Sequence, residues 1–315
     1  MNETALIRFL TPADTTAVVD LYQRCMECEP NIGPVPPEQW ERFIRSPQNS
    51  LGRDFRVAVL DGTVVGLAES SAKERANGCA RYVKLVVDPA HRRRGIATRF
   101  LRTLVNLDTA NAEVTLQCQT CDGWTAGEAF LAALGFYYLE SDFTMICRQL
   151  QPIGRYPDGR IGVAKAGDPI AHGADVARIH NVAYAGDVAF RYFTAAKMAE
   201  DLKNAGDDLW LARDGDHVIG FCRIEMDDAG PWLESIAIDP THQKHGIGPR
   251  LAYHALAHSG LSSKRRAGLS VSSSNPNARR VYTRLGFIER AEKRRYACTR
   301  TALRERLDLP TLAPL

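Results

Sequence analysis

Apolar and polar positions follow the same succession twice along the chain. In the first half, residues 7–9 alternate as a short strand, and Thr11-Pro12-Ala13-Asp14 is a helix-start signal ahead of an amphipathic run with Val18, Val19, Leu21 and Tyr22. Residues 30–37 predict an irregular loop and 37–44 a second helix. The β-branched runs 55–60 and 64–69 flank Asp61-Gly62 and predict a hairpin. After a strand–turn–helix stretch at 82–105 come a strand at 113–119, a helix at 126–134, and a closing pair of strands at 136–139 and 143–147. The second half repeats this: strand 161–164, helices 170–185 and 195–203, hairpin 209–213 and 217–225, a strand–turn–helix stretch at 233–256, strand 267–271, helix 276–285, closing strands 287–290 and 295–298, and a helical tail at 301–307. The polar, Pro/Gly-bearing residues 149–159 read as a linker, giving domains at 1–152 and 160–315. Each reads β-α-α-β-β-β-α-β-α-β-β, an α/β (α+β) mixture with a mixed, mainly antiparallel sheet flanked by helices.

The two strand–turn–helix stretches carry the strongest signal. Leu233, Ile236 and Ile238 alternate as a half-buried strand, and Asp239-Pro240 ends it, because proline cannot donate to a sheet ladder. Gln243-Lys244-His245-Gly246-Ile247-Gly248 follows, and Leu251, Ala252, Ala255 and Leu256 then recur at helical spacing. A turn opening directly into a helix offers unpaired N–H groups and the positive end of the helix dipole, which together suit a phosphate or pyrophosphate. The first half has Asp88-Pro89 and then Arg92-Arg93-Arg94-Gly95-Ile96-Ala97. Asp88 and Asp239, Gly95 and Gly246, and the Leu-Gly-Phe triplets at 134 and 285 are each 151 positions apart, the mark of an internal duplication.

Composition narrows the class. At 315 residues, with 45% hydrophobic and 24% charged positions, the chain is of globular type and long enough for two cores. A net charge of +3 and three separated basic clusters without interleaved aromatics argue against a nucleic-acid partner. No apolar run approaches a membrane span and the first residues do not form a targeting signal, so a cytoplasmic protein is expected. Among the eight cysteines, Cys25-x-x-Cys28 and Cys118-x-x-Cys121 have ligand-like spacing but no nearby histidine or second pair. Reduced thiols and no metal are expected.

Both turns have the form Q/R-x-x-G-x-G/A after a strand, and this resembles the acetyl-CoA-binding motif of the GCN5-related N-acetyltransferase (GNAT) family. Residues 275–287 match that family's N-x-x-A-x-x-x-Y-x-x-x-G-F pattern through Asn275, Ala278, Tyr282, Gly286 and Phe287. The resemblance implies two tandem GNAT-type domains and an acetyl-CoA-dependent N-acetyltransferase that acts on a small-molecule amine by direct transfer. It implies Tyr282 as general acid near the CoA sulfur and Glu234 as a carboxylate base working through water. Ile236, Ala237 and Ile238 would pair with pantetheine, and Gln243, Lys244, His245, Gly246, Ile247 and Gly248 would hold the pyrophosphate. Asn275 would bond the pantetheine arm. On the residues alone, Tyr282 also reads as a core tyrosine, Glu234 as a solvent-facing strand residue and Asn275 as a helix cap before Pro276.

By the same offset the first half has Leu131, Trp124, Gly127 and Val83 where the second has Tyr282, Asn275, Ala278 and Glu234. It keeps a potential acetyl-CoA site in Leu85, Val86, Val87, Arg92, Arg93, Arg94, Gly95, Ile96 and Ala97, but not the acid or base, so it is expected to be catalytically degenerate. Acceptor selectivity is expected from residues 181–201, including Asp187, Arg191 and Tyr192, and from Arg223, Glu225, Asp227 and Asp228. The competing readings are a non-catalytic acyl-CoA sensor and a peptide or protein acetyltransferase. The chain is expected to be a monomer or homodimer.

Overall fold

The computed structural model describes residues 4–29, 35–45, 49–75, 78–107, 114–153, 160–186, 190, 192–261 and 265–309. In chain order the elements are β1 (Leu6–Phe9), α1 (Thr15–Cys28), α2 (Pro37–Ile44), α3 (Leu51–Asp54), β2 (Phe55–Leu60), β3 (Thr63–Arg75), β4 (Gly78–Val87), α4 (Ile96–Leu104), β5 (Val114–Cys121), α5 (Thr125–Ala133) and β6 (Tyr137–Cys147). Then follow β7 (Ile161–Lys165), α6 (Gly173–Ala183), α7 (Ala195–Ala205), β8 (Asp208–Asp214), β9 (His217–Asp227), β10 (Gly230–Ile238), α8 (Ile247–His258), β11 (Ala267–Ser272), α9 (Pro276–Arg284), β12 (Ile288–Thr299) and α10 (Arg300–Arg306). Apart from the two closing strand pairs, the predicted elements recur within a few residues of these bounds. The four-residue α3 is too short to leave a periodic signature, and the predicted helix at 170–185 begins as a 3-10 turn, Ile170–His172.

Two compact units result. One comprises residues Met1–Ser141 with Lys293–Leu315, the other Asp142–Glu292. The first unit orders its strands β1-β2-β3-β4-β5-β12, and the second β6-β11-β10-β9-β8-β7. The parallel contacts are β4 with β5 and β10 with β11, and the neighbouring pairs β1–β2, β2–β3, β3–β4, β5–β12, β6–β11, β10–β9, β9–β8 and β8–β7 are antiparallel.

The closing pairs expected at 136–147 and 287–298 are instead single long strands, β6 and β12. Residues 139–143 (LESDF) and 290–295 (RAEKRR) hold no glycine, proline or asparagine to reverse the chain, so each strand continues straight. The second unit takes Asp142–Cys147 as partner of β11, and the first takes Lys293–Thr299 as partner of β5. The compact units therefore differ from the linear halves at 1–152 and 160–315.

Each unit has two layers of helix about its sheet. In the first, Ile96, Phe100, Leu101, Leu104, Leu131 and Leu303 pack one face, while Val18, Leu21, Tyr22, Trp40 and Ile44 pack the other. In the second, Leu251, Ala255, Leu256, Tyr282 and Leu285 face Val176, Ile179, Met198 and Leu202 across the sheet. A fully buried side chain such as Phe100 or Leu251 contributes about 1.5–3 kcal/mol by leaving water. This packing fixes the strand ends from which the site is built.

Candidate active site

In the second unit β10 ends at Ile238, and the Asp239 carboxylate caps the next turn by accepting from Thr241 N at 3.1 Å. The chain then reverses through Lys244 (φ 67°) and Gly246 (φ 73°) before α8 begins at Ile247. The left-handed Gly246 stands at the N-cap with no side-chain cap, leaving the first amides of a twelve-residue helix to outside acceptors. The Gln243 side chain turns back toward the strand. Its Nε2 donates to Ile238 O at 3.0 Å and ties the turn to the strand end. Lys244 and His245 are exposed, and His245 Nδ1 lies 3.4 Å from His242 O.

The first unit reproduces this geometry. Asp88 accepts from Ala90 N at 2.9 Å, Arg93 and Gly95 take φ of 62° and 75°, and Arg92 Nε donates to Val87 O at 3.1 Å. The remaining Arg92 nitrogens donate to Glu29 at 2.8 Å. One helix-start geometry thus recurs, and the residue at the Gln243 or Arg92 position serves it by bracing rather than by pointing outward.

Both parallel contacts are short, so the strands splay. Pairing of β10 with β11 runs through Trp232–Gly268 and Leu233–Leu269, and that of β4 with β5 through Tyr82–Gln117. Beyond those points, Ile236, Ala237 and Ile238 keep β9 on one side and have left β11 on the other. The same holds for Leu85, Val86 and Val87, which keep β3. A splayed parallel edge offers backbone donors and acceptors to an extended, amide-bearing ligand.

Here the units diverge. The β10–β9 register shifts between Leu233 and Ser235, placing Glu234 on a bulge, whereas β4 keeps unbroken register with β3 from Gly78 to Val87. Glu234 is open to solvent at a cavity mouth yet surrounded by protein. Desolvation raises its carboxyl above the ordinary value; Arg223 opposes this, while Asp207, Glu225 and Asp201 reinforce it. Tyr282 on α9 is 6% exposed, and its ring lies 5.9 Å from that of Phe287. Burial, with smaller contributions from Tyr184 and Cys222, raises its phenol far above the ordinary range, so it stays protonated. Tyr184, which the sequence reading did not single out, donates its hydroxyl to Ile236 O at 2.8 Å. Asn275 caps α9, its Oδ1 accepting from Ala278 N at 3.0 Å, and the carboxamide N–H2 remains beside that helix start.

A cavity of about 260 Å³ adjoins the bulge, lined by Val176, His180, Phe193, Met198, Asp201, Phe221, Arg223, Glu234 and Ser235. Arg223 is braced by Asp207 at 2.7 Å and by Asp201 at 2.9 Å. The Asn181 amide exchanges two hydrogen bonds with the Phe193 backbone, at 2.7 and 2.9 Å, and holds that wall in place. Of the other expected acceptor residues, Tyr192, Glu225 and Asp228 are exposed, and Asp187 and Arg191 lie outside the described residues.

In the first unit a cavity of about 480 Å³ lies between the splayed strands, bounded by Val83, Leu85, Val87, the turn at Arg92, Arg93 and Gly95, and the small residues of α5. Leu131 occupies the Tyr282 position and is buried. Trp124, at the Asn275 position, lines the cavity with an indole N–H that has no hydrogen-bond partner among the described residues.

Tandem α/β units with a splayed parallel pair and a helix-capping glycine turn define the acyl-CoA-dependent acyltransferase type of fold. The model of the acetyltransferase (GNAT) family matches residues 15–138 and 174–287, and the chain belongs to that family. It is 27% identical over 251 residues to a mycothiol acetyltransferase of Actinosynnema mirum, covering 78% of this chain and 83% of that one. Among solved structures it resembles a GCN5-related N-acetyltransferase from Sphaerobacter thermophilus, with TM-score 0.71, 19% identity, and coverage of 94% of this chain and 96% of that one. It also resembles a tandem GNAT protein from the clavulanic acid biosynthesis pathway, with TM-score 0.70, 15% identity, and coverage of 94% and 98%. The protein is an N-acetyltransferase with acetyl-CoA as acyl donor. Among the described residues no helix is long and apolar enough to cross a membrane.

Proposed function

We propose that the protein acetylates a primary amine of a small molecule and that the chemistry takes place in the second unit. The observation that carries this is the register break at Glu234. The second unit also holds Tyr282, an acceptor-sized cavity and a β10 edge that β11 has left, and the first unit has neither the break nor the two side chains. The amides at the start of α8 receive the donor's diphosphate, and Ile236, Ala237 and Ile238 align its amide-bearing arm. The attacking nitrogen must be neutral, and Glu234, through water, accepts its proton. As the new C–N bond forms and the C–S bond breaks, Tyr282 donates its proton to the departing sulfur and is reprotonated from solvent. The similarity to a mycothiol acetyltransferase supports a small-molecule acceptor.

The first unit is a binding module without transfer. Its cavity and turn suit the same donor, with Trp124 N–H offering a donor where the second unit has Asn275. Its acceptor side is filled: Tyr22 donates to Glu69 at 2.8 Å, and Lys84 Nζ stands 4.7 Å from the Tyr22 ring and 3.5 Å from Glu69.

Free-thiol release from acetyl-CoA across a panel of small amines tests the reading. Turnover with one or more amines, abolished by Tyr282→Phe, is expected. Acetylation restricted to peptides or proteins, or the absence of thiol release with every amine, would overturn it.

A further inference from the structure

The 260 Å³ cavity exists because of substitutions between the two repeats. As far as β3 and β9, equivalent positions are 154 apart, whereas β4 and β10 keep the offset of 151. Arg24 and Arg178 donate to Val64 O and Val218 O respectively, and Asp88 N and Asp239 N donate to Val65 O and Ile219 O. This register places Val176 where the first unit has Tyr22, Arg223 where it has Glu69, and Ser235 where it has Lys84. Two large side chains, one of them cationic, have thus become a valine and a serine, and the space they filled is open.

The charge of the space has changed as well. Its single guanidinium, Arg223, is held between Asp207 and Asp201, with the former contacting it at both 2.7 and 2.9 Å. Asp207 is buried, so its charge is poorly screened. Glu234 adds a third carboxylate, and no described residue hydrogen-bonds to it. One cation against three anions leaves an excess of two negative charges, while the opposite wall, Val176, Phe193, Met198 and Phe221, is apolar. His180 closes that wall edge-on to Phe193 at 5.1 Å.

We propose that this cavity selects, as acceptor, a small aliphatic amine carrying a second cationic group and rejects amines that carry a carboxylate. The proposal rests on the second unit being the acetylating one. An ammonium replaces the charge that Lys84 supplies in the first unit, a short alkyl spacer lies on the apolar wall, and a second ammonium meets Asp201 beside Arg223. A carboxylate in its place would face Asp201 and Glu234, with Arg223 already committed.

Calorimetric binding to the full chain in the presence of CoA separates this from the reading it rests on. The probes are 1,4-diaminobutane, butylamine and 4-aminobutanoate. The diamine is expected to bind about tenfold more tightly than the monoamine, with a still larger gap to the amino acid; tenfold corresponds to about 1.4 kcal/mol, the scale of one partly screened charge contact. Asp201→Asn should narrow the first gap. Ser235→Lys, which restores the first unit's cation, should abolish diamine binding while leaving the thermal melt in place. Equal affinities for the three probes, tighter binding of 4-aminobutanoate, or no diamine binding would overturn the proposal. Thiol release from acetyl-CoA is read in parallel. Diamine selectivity without thiol release would sink the second-unit chemistry and leave the cavity's selectivity standing; thiol release without that selectivity would do the reverse.

Discussion

Arg178 and Asp239 form an ion pair at 2.7 Å that Arg24 and Asp88 repeat at 2.6 Å, each arginine also reaching a β-strand carbonyl. The pair clamps the helix before the sheet to the residue that caps the glycine turn. Asp239 is held below its ordinary carboxylate range, first by the Thr241 hydroxyl and also by Arg178. Arg178→Ala should therefore loosen the turn without touching the reacting groups. A partly exposed pair of this kind is worth up to about 1 kcal/mol, or about fivefold in the KM for acetyl-CoA, with kcat little changed. Steady-state kinetics of Arg178→Ala and Arg24→Ala decide it; the latter should leave both constants near wild type.

Tyr282→Phe removes one hydroxyl from a nearly closed site and keeps the ring against Phe287. If the phenol reprotonates sulfur, kcat should fall by on the order of 10²-fold or more, with the KM for acetyl-CoA and the melting temperature nearly unchanged. A variant that turns over at the wild-type rate would assign Tyr282 to packing alone.

Glu234 gives a pH signature. Burial lifts its carboxyl above the ordinary glutamate value, and a base works only when ionised. Activity limited by this group should rise with pH through an apparent pKa above that of a free glutamate, then level off. Glu234→Gln should lower kcat/KM and flatten that limb. An unchanged acidic limb in the variant would assign the base to another group.

The chain's order showed how much of this could be read beforehand. Alternation and the Asp-Pro and glycine signals gave both strand–turn–helix stretches, and the fixed offset between them gave the duplication. The course of β6 and β12 was hidden because pairing partners across such separations are a tertiary choice, although the absence of glycine, proline and asparagine at 139–143 and 290–295 was the available clue. The bulge at Glu234 has no local mark, since it shows only when β10 is laid against β9. Gln243 and Arg92 match the motif for a reason the motif does not state: they brace the strand end. Tyr184 and Arg178 escaped because each acts on an element more than fifty residues away.

The first unit carries an acid-sensitive contact. Arg8 bonds Asp14 at 2.7 Å, and this, with the Thr11 amide and hydroxyl, outweighs burial and brings the Asp14 carboxyl down to about 2. A carboxyl depressed on folding stabilises the native state above its unfolded value and loses that contribution as pH falls through the folded one. Asp14→Asn should lower the Tm of the first unit's transition by about 2–4 °C near neutrality, allowing for the partial exposure of Arg8. The difference should shrink as pH drops below 4 and vanish only below the folded value of about 2. Thermal melts of both proteins at matched ionic strength check this; a gap independent of pH would attribute the loss to helix-start geometry.

Two binding sites with unequal chemistry make a prediction about stoichiometry. Gly95 and Gly246 both hold left-handed backbone, φ 75° and 73°, so a branched residue at either position strains the turn, and at Gly95 it would do so in open space. Equilibrium dialysis of acetyl-CoA should give two molecules per chain, and Gly95→Val and Gly246→Val should each reduce that to one. Turnover separates the two losses: it should survive Gly95→Val, because the first unit offers neither a phenol at Leu131 nor an open acceptor side past Tyr22 and Lys84, and should disappear in Gly246→Val. One molecule bound by wild type and none by Gly246→Val would show the first unit's cavity to be a remnant of the duplication. Loss of turnover in Gly95→Val, with one molecule still bound, would instead make donor binding in the first unit a requirement for chemistry in the second.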